Sequence, residues 1–151
     1  MNYKYIEGDS YIDERGKLSF VNNFKLENVT RFYQVENHKK NYVRAWHGHK
    51  YEEKFVFVNK GTFKIGIVEI EESDFSLNPE DLSKKYSPKT LIISSEKPAI
   101  LHIPRLTFNG FMNLSDNGII TFFSTKDLKN SIDDDFRLNF DVWNIWEQKY
   151  F

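Results

Sequence analysis

The sequence predicts an all-β domain, a barrel or sandwich built from many short strands. Short segments rich in Phe, Val, Ile and Thr follow one another closely, period-two alternation runs through the middle of the chain, and turn signals rather than long helices separate the segments. Strand candidates lie at 30–35, 42–46, 54–58, 90–94, 99–103, 108–114 and 118–124. Between them the alternation is clearest where Phe63, Ile65 and Ile67 point one way and Lys64 and Glu69 mark the polar side, with a twist or bulge expected near Gly66. Turns are expected at Asn59-Lys60-Gly61 and at Asp116-Asn117-Gly118, where Asn-Gly favours a tight hairpin. The polar segment 71–87, with Pro79, Glu80, Asp81 and Lys84, reads as an insertion loop with at most one helical turn. The tail, 141–151, carries Val142, Trp143, Ile145, Trp146 and Tyr150 at helical spacings and reads as a short helix laid against the barrel. The acidic run Asp133-Asp134-Asp135 before it reads as a solvated loop and N-cap. Neither a repeat nor a domain boundary is visible, so 1–151 is expected to form one domain.

Composition narrows the function classes. A chain of 151 residues with 40% apolar residues, 14 Phe and 8 Tyr can fill a sizeable core. A net charge of −1 and only isolated lysine pairs give no field to draw nucleic acid. The absence of cysteine removes disulfides and thiolate chemistry and suits a reducing compartment. The opening residues are polar and acidic, and no apolar run approaches the roughly 20 residues needed to span a bilayer. A cytoplasmic protein without membrane or nucleic-acid partners is therefore expected.

The stretch Val43-Arg44-Ala45-Trp46-His47-Gly48-His49-Lys50, with Glu53-Lys54 behind it, carries the chemistry. Histidines at i and i+2 on a strand share a face, so His47 and His49 reach one cavity if that face lines the interior. Arg44 stands an odd number of steps from His47, and simple alternation would turn it away. A bulge or a strand end is needed to bring it in. Lys54 opens the next strand and can point into the same mouth. His38 sits in a polar loop and reads as solvated, while His102 lies in an apolar strand and reads as a wall histidine. Such a set suits proton transfer. A histidine near neutrality removes the proton, and a cation meets the charge that develops on oxygen. A planar guanidinium such as Arg15 or Arg44 grips a phosphate in two places.

The order His47-x-His49, Glu53, Gly61, then Pro104 with Asn109 and Asn113, resembles the cupin superfamily over nearly the whole chain. The resemblance implies a jelly-roll-like cupin β-barrel. The first half is similar to the dTDP-sugar 3,4-ketoisomerases in Asp13-Glu14-Arg15-Gly16-Lys17-Leu18, in Thr30-Arg31-Phe32-Tyr33 and in Arg44–Lys50, departing at Ala45 where that family has Gly. The second half resembles the dTDP-4-dehydrorhamnose 3,5-epimerases in Ile103-Pro104-Arg105 through Gly110-Phe111 and in the acidic segment 131–146. These likenesses imply an isomerase or epimerase acting on a nucleotide-linked 4-keto-6-deoxyhexose in cell-surface polysaccharide precursor synthesis. They imply His47 as base, His49 as second acid–base group and Lys54 at the enolate oxygen. They place Arg15, Arg44, Tyr33 and Asn109 on the substrate, with no metal or other cofactor, in a homodimer. Phe122 stands where the epimerases have a proton-donating tyrosine, and Asn109 replaces their later histidine, so the reaction type stays open between the two families.

Two rival readings remain. His47, His49 and Glu53 offer the nitrogen and oxygen donors of a metal-dependent cupin, with Asn109 in place of the usual fourth ligand. Phe122 in place of the tyrosine supports a sugar-binding cupin without catalysis.

Overall fold

The computed structural model describes residues 2–147. Ten of its strands form two facing sheets. The first has the order β1 (Lys4–Glu7), β9 (Ala99–Ile103), β6 (Lys54–Lys60), β11 (Gly118–Ser124), β4 (Arg31–Asn37). The second runs β12 (Phe136–Arg137), β5 (Val43–His49), β10 (Thr107–Asn113), β7 (Thr62–Glu69), β8 (Lys89–Ser94). All pairings are antiparallel and most neighbours are distant in sequence, as in a jelly-roll barrel. The expected all-β cupin architecture is present.

Alternation along β7 separates two cores. Phe63, Ile65 and Ile67 face inward and pack with Val56, Leu101, Phe111, Ile120 and Phe122 between the sheets. Val68 faces out and joins Trp46, Phe75, Leu82, Phe108, Met112, Trp143 and Trp146 on the back of the second sheet. That sheet is therefore apolar on both faces, and something must cover its back. Two segments do so. One is the insertion, with a 3-10 turn at Glu72–Ser76 and the helix α1 at Pro79–Lys85. This is more helix than expected for 71–87. Asn78 caps it by accepting from the Asp81 N–H, Pro79 occupies the first turn, Lys84 and Lys85 end it, and buried Leu82 anchors it. The other cover is the tail, which forms only a 3-10 turn at Phe140–Trp143 instead of the expected helix. Trp46 and Trp146 both donate their indole N–H to the Phe140 carbonyl, at 3.1 and 3.2 Å, and Trp143 donates to the Tyr86 carbonyl at 2.9 Å. Three indoles with fixed partners hold the segment without a helical ladder; Tyr150, placed in the expected helix, lies outside the described residues.

Gly66 does not mark a bulge. Its pairing with β8 and β10 runs unbroken, and a Cβ there would come within 2.4 Å of the Trp46 ring. The glycine makes room for the tryptophan. Turns stand at both expected places, with Gly61 at φ +83° and Asn117 at φ 54°, but the Asn117-Gly118 turn closes no hairpin, since it leads from β10 to β11 in the other sheet.

The amino-terminal strands are not among the sequence candidates. β1 pairs with β9, while β2 (Asp9–Asp13) and β3 (Gly16–Phe20) form a separate hairpin closed at Asp13↔Gly16. Tyr11, Ile12 and Leu18 on this hairpin are exposed. Alternation marks a strand only where one face is buried, and here neither is.

Candidate active site

The interior opens into a cavity of about 380 Å³ between the two sheets. From the second sheet come Arg44, His47 and His49 on β5, Asn109 and Phe111 on β10, and Arg137 on β12. From the first come Arg31, Tyr33 and Val35 on β4, Lys54 on β6 and Phe122 on β11. Glu52 lies in the β5–β6 turn. Leu128, Ser131, Ile132 and Asp135, from the short helix α2 (Leu128–Ser131) and the chain after it, edge the mouth.

Arg44 shares the cavity with the histidines because β5 bulges. The pairs Asn109↔His47 and Phe111↔Arg44 leave Ala45 and Trp46 together opposite Gly110. Ala45 and Trp46 both turn to the outer core, so Arg44 and His47 both turn inward. The bulge that strict alternation required is therefore present. A Cβ on Gly110 would sit 2.4 Å from the Ala45 Cβ, which explains the residue opposite the bulge. The Arg44 Nε donates to Asn37 Oδ1 at 2.9 Å. Buried Asn37 donates in turn to Asn113 at 3.1 Å, and Asn113 to the carbonyls of Lys39 and Ser115 at 2.7 and 2.9 Å. One guanidinium edge is thus held and the rest is left for a ligand.

The two histidines differ in their surroundings. Burial, and then the Lys54 charge, hold the His47 imidazolium well below its ordinary range, to about 4. Arg137 and His49 act in the same direction, and Asp135 opposes. His47 is therefore neutral at physiological pH and able to accept a proton. Asn109, in register with it, donates its amide N–H to the His47 carbonyl at 3.3 Å. His49 is more deeply buried, and its pKa too is lowered by burial and by Lys54, against the opposing charge of Glu52. Its Nδ1 lies 2.6 Å from the Asp134 carbonyl oxygen. A carbonyl only accepts, so Nδ1 carries the proton and Nε2 the lone pair.

Lys54 is 7% exposed. Its Nζ stands 5.6 Å from the Phe122 ring centre and 5.8 Å from that of Tyr33. The two rings stack at 5.2 Å, and the Arg31 guanidinium lies 5.1 Å from the centre of Tyr33. The wall facing the histidines thus presents two cations and stacked aromatic rings, with phenylalanine at 122. Arg31, Arg44, Lys54 and Arg137 outnumber the carboxylates Glu52 and Asp135 around the cavity. This favours a ligand carrying negative charge.

Two residues of the sequence reading lie elsewhere. Arg15 sits in the β2–β3 turn, its side chain 83% exposed and paired with Asp13 at 2.6 Å, and it is not part of this cavity. Glu53, in the β5–β6 turn, faces away from the cavity, and its carboxylate meets His102 Nε2 at 3.3 Å. Glu52 and Glu53 are neighbours of opposite facing, so Glu53 cannot complete a ligand set with His47 and His49. Among the described residues no group of three or more His, Cys, Asp or Glu side chains is placed to hold a metal ion.

Sequence reasoning misses four residues at the site: Glu52, Arg31, Arg137 and Asp134. Asp134 is buried rather than solvated. Its carboxylate accepts from the backbone N–H groups of Lys50, Tyr51 and Glu52 at 2.7, 2.9 and 2.9 Å. A lone aspartate amid Asp133-Asp134-Asp135 gives no such signal. Arg31 alone is within reach, since its alternate position to Tyr33 puts both on one face of β4.

Comparison with known proteins places this geometry. Residues 1–137 match the family model described as FdtA: WxcM-like, C-terminal. The curated proteins give no match. Among solved structures, a 3,4-ketoisomerase from Helicobacter canadensis is similar at 19% identity and TM-score 0.65, over 94% of this chain and 95% of that one. A histidine-to-asparagine mutant of the 3,4-ketoisomerase QdtA from Thermoanaerobacterium thermosaccharolyticum, in complex with TDP-4-keto-6-deoxyglucose, is similar at 16% identity and TM-score 0.65, over 93% and 89%. A double mutant of ChmJ, a 3'-monoepimerase from Streptomyces bikiniensis in complex with dTDP, reaches TM-score 0.74 at 12% identity, over 96% and 74%. At these identities the solved structures speak for the shared RmlC-like cupin barrel. The match to the family model spans nearly the whole chain, and the protein belongs to the FdtA, WxcM-like C-terminal family.

Proposed function

We propose that this protein is a sugar-nucleotide isomerase that interconverts 4-keto and 3-keto forms of a nucleotide-linked, dTDP-type 6-deoxyhexose. The observation that carries the reading is the cavity itself. Neutral His47 and His49 share one wall, and Lys54 faces them across it. The family membership and the fold shared with 3,4-ketoisomerases and epimerases support it.

The chemistry follows from these positions. His47 removes the proton from carbon 3. The electron pair forms a carbon–carbon double bond, and charge moves onto the carbonyl oxygen at carbon 4, where Lys54 meets it. A proton then passes from the hydroxyl oxygen at carbon 3 to the oxygen at carbon 4 through His49. His47 returns its proton to carbon 4, leaving the ketone at carbon 3. Nothing is oxidised or lost overall. Both proton carriers work from one wall, and Phe122 cannot donate from the other; this favours isomerisation over epimerisation. Arg44 meets the diphosphate, Tyr33 offers a stacking face, and Asn109 steadies the His47 strand and the sugar.

Arg15 enters this scheme only across a homodimer. A hairpin that buries no face of its own and exposes Tyr11, Ile12 and Leu18 suits packing on a second copy, carrying Arg15 toward that copy's cavity. The setting is cytoplasmic synthesis of cell-surface polysaccharide precursors.

The test is proton NMR of dTDP-4-keto-6-deoxyglucose with the protein in heavy water. Loss of the carbon 3 signal with appearance of a 3-keto product is expected. Exchange at carbon 5 would mean epimerase chemistry, and binding without exchange a non-catalytic cupin. Sedimentation equilibrium tests the dimer, a monomer mass overturning it.

A further inference from the structure

We infer that Glu52, a residue with no place in the scheme above, is a positioning residue that fixes His49 with its Nε2 lone pair toward the cavity and holds the charge that His49 acquires when it relays a proton. The inference rests on the proposed isomerase reading for its chemistry, but not for its geometry.

Glu52 is 2% exposed, a depth at which a carboxylate needs a reason to be present. One oxygen has two partners. Oε1 accepts from the Ser124 hydroxyl at 2.5 Å and from Arg31 Nη2 at 3.3 Å. The Arg31 Nε is itself fixed on the Lys126 carbonyl at 3.0 Å. The other oxygen, Oε2, stands 3.0 Å from His49 Nδ1 and 3.9 Å from Lys54 Nζ, with no partner of hydrogen-bond geometry. Among the described residues the other buried side-chain polar atom without a partner is His49 Nε2, on the far side of the same ring. The two orphans are therefore the two ends of one Glu–His unit. With Nδ1–H donated to the Asp134 carbonyl, and the Glu52 carboxylate 3.0 Å from the same nitrogen, Nε2 is the ring atom left to meet a substrate hydroxyl.

The charged and titratable groups about His49 are Glu52, Asp134, Lys54 and His47, with Lys54 Nζ 3.9 Å from the Glu52 carboxylate. Arg31 and Ser124 stand behind Glu52. In the resting site the imidazole is neutral. During the relay it takes the proton from the oxygen at carbon 3, becomes an imidazolium 3.0 Å from Oε2, and gives a proton to the oxygen at carbon 4. Glu52 gives and takes no proton in this relay and touches no substrate atom. It lowers the cost of a charge that exists only mid-reaction, and that is why its effect belongs in kcat.

The test joins two measurements. The first needs no substrate. Nitrogen-15 NMR of the His49 ring in the wild-type protein is expected to show a protonated Nδ1 and a bare Nε2; a protonated Nε2 overturns the inference whatever the activity. The second is Glu52→Gln, nearly the same shape without the charge. Its kcat should fall roughly 10–100-fold, a part of what a general acid–base group supplies, with KM unchanged. A folded Glu52→Gln protein with wild-type kcat refutes the inference. A KM rise at constant kcat does so equally, by making Glu52 a binding residue. If the wild-type protein does not enolise the keto sugar, the isomerase reading fails by itself, and the ring spectrum still decides the Glu52 geometry.

Discussion

Asp134→Ala removes an acceptor that three consecutive backbone donors share. Asp134 is 4% exposed, and its carboxylate meets the N–H groups of Lys50, Tyr51 and Glu52 at 2.7, 2.9 and 2.9 Å. Hydrogen bonds to a charged group contribute about 1.5–3 kcal/mol each when both partners are buried. Tyr51 is exposed and Lys50 half-buried, so water can replace the carboxylate at those two positions, while the Glu52 N–H lies deepest. Discounting accordingly, the substitution should cost about 3 kcal/mol of folding free energy. The assay is urea unfolding followed by tryptophan fluorescence. Trp143 and Trp146 pack beside the segment that Asp134 fastens, and the midpoint should fall with little change in slope. Activity should fall as well, because the same backbone positions His49 and Glu52. A loss well under 1 kcal/mol, or full activity at full stability, would refute the claim that this aspartate fastens the carboxyl-terminal segment to the β5–β6 turn.

Further outcomes follow from the same geometry. His47→Asn should abolish turnover while substrate binding by calorimetry persists; normal turnover would remove His47 from the chemistry. Since its imidazolium is held at about 4, activity should persist on acidification below the ordinary histidine range near 6.5 and decline only as the pH nears that lower value. The same shift makes stability fall as pH drops from about 6.5 through that value, because the unfolded chain binds the proton first. An acid limb at the ordinary histidine value would contradict the burial argument. Phe122→Tyr places a hydroxyl on the wall opposite the histidines and should add solvent exchange on the second face of the sugar; an unchanged product spectrum would mean that the hydroxyl does not reach. Glu53→Ala should leave kcat and KM as they are, since the side chain faces His102 outside the cavity, and a large loss would revive the metal reading.

How much of this is legible in the sequence depends on where burial leaves a pattern. Strands whose inward side chains recur at every second position, such as Phe63, Ile65 and Ile67 on β7, announce themselves by period two, as do paired histidines on β5. β2 and β3 bury neither face, so they leave no alternation to read. The tail shows the opposite failure: Val142, Trp143, Ile145 and Trp146 are packing residues at spacings that mimic a helix, but indole-to-carbonyl bonds fix them on a 3-10 turn, Phe140–Trp143, and the irregular chain after it. At the site, His47, His49 and Lys54 are visible because strand neighbours are enough to place them. Glu52 and Asp134 are not, because they meet only when positions 82 apart in the chain come together. Choosing Glu53 over Glu52 is a matter of parity through a turn, which period two does not carry.

The pairing slip in β5 separates two properties that a regular strand would lock together. On a strict ladder, rotating one side chain to the other face rotates all its neighbours. Here the two-against-one step at Ala45 and Trp46 acts as a clutch: the half with Arg44 is aimed by the bulge, while the half with His47 and His49 keeps its register on Asn109 and Thr107. Closing the bulge with every residue kept would turn the guanidinium toward the tryptophan cluster and leave the imidazoles in place, whereas deleting Ala45 would set Arg44 an even number of steps from His47 and keep it facing the cavity. The aim of the guanidinium and the aim of the two imidazoles are thus set separately along one strand.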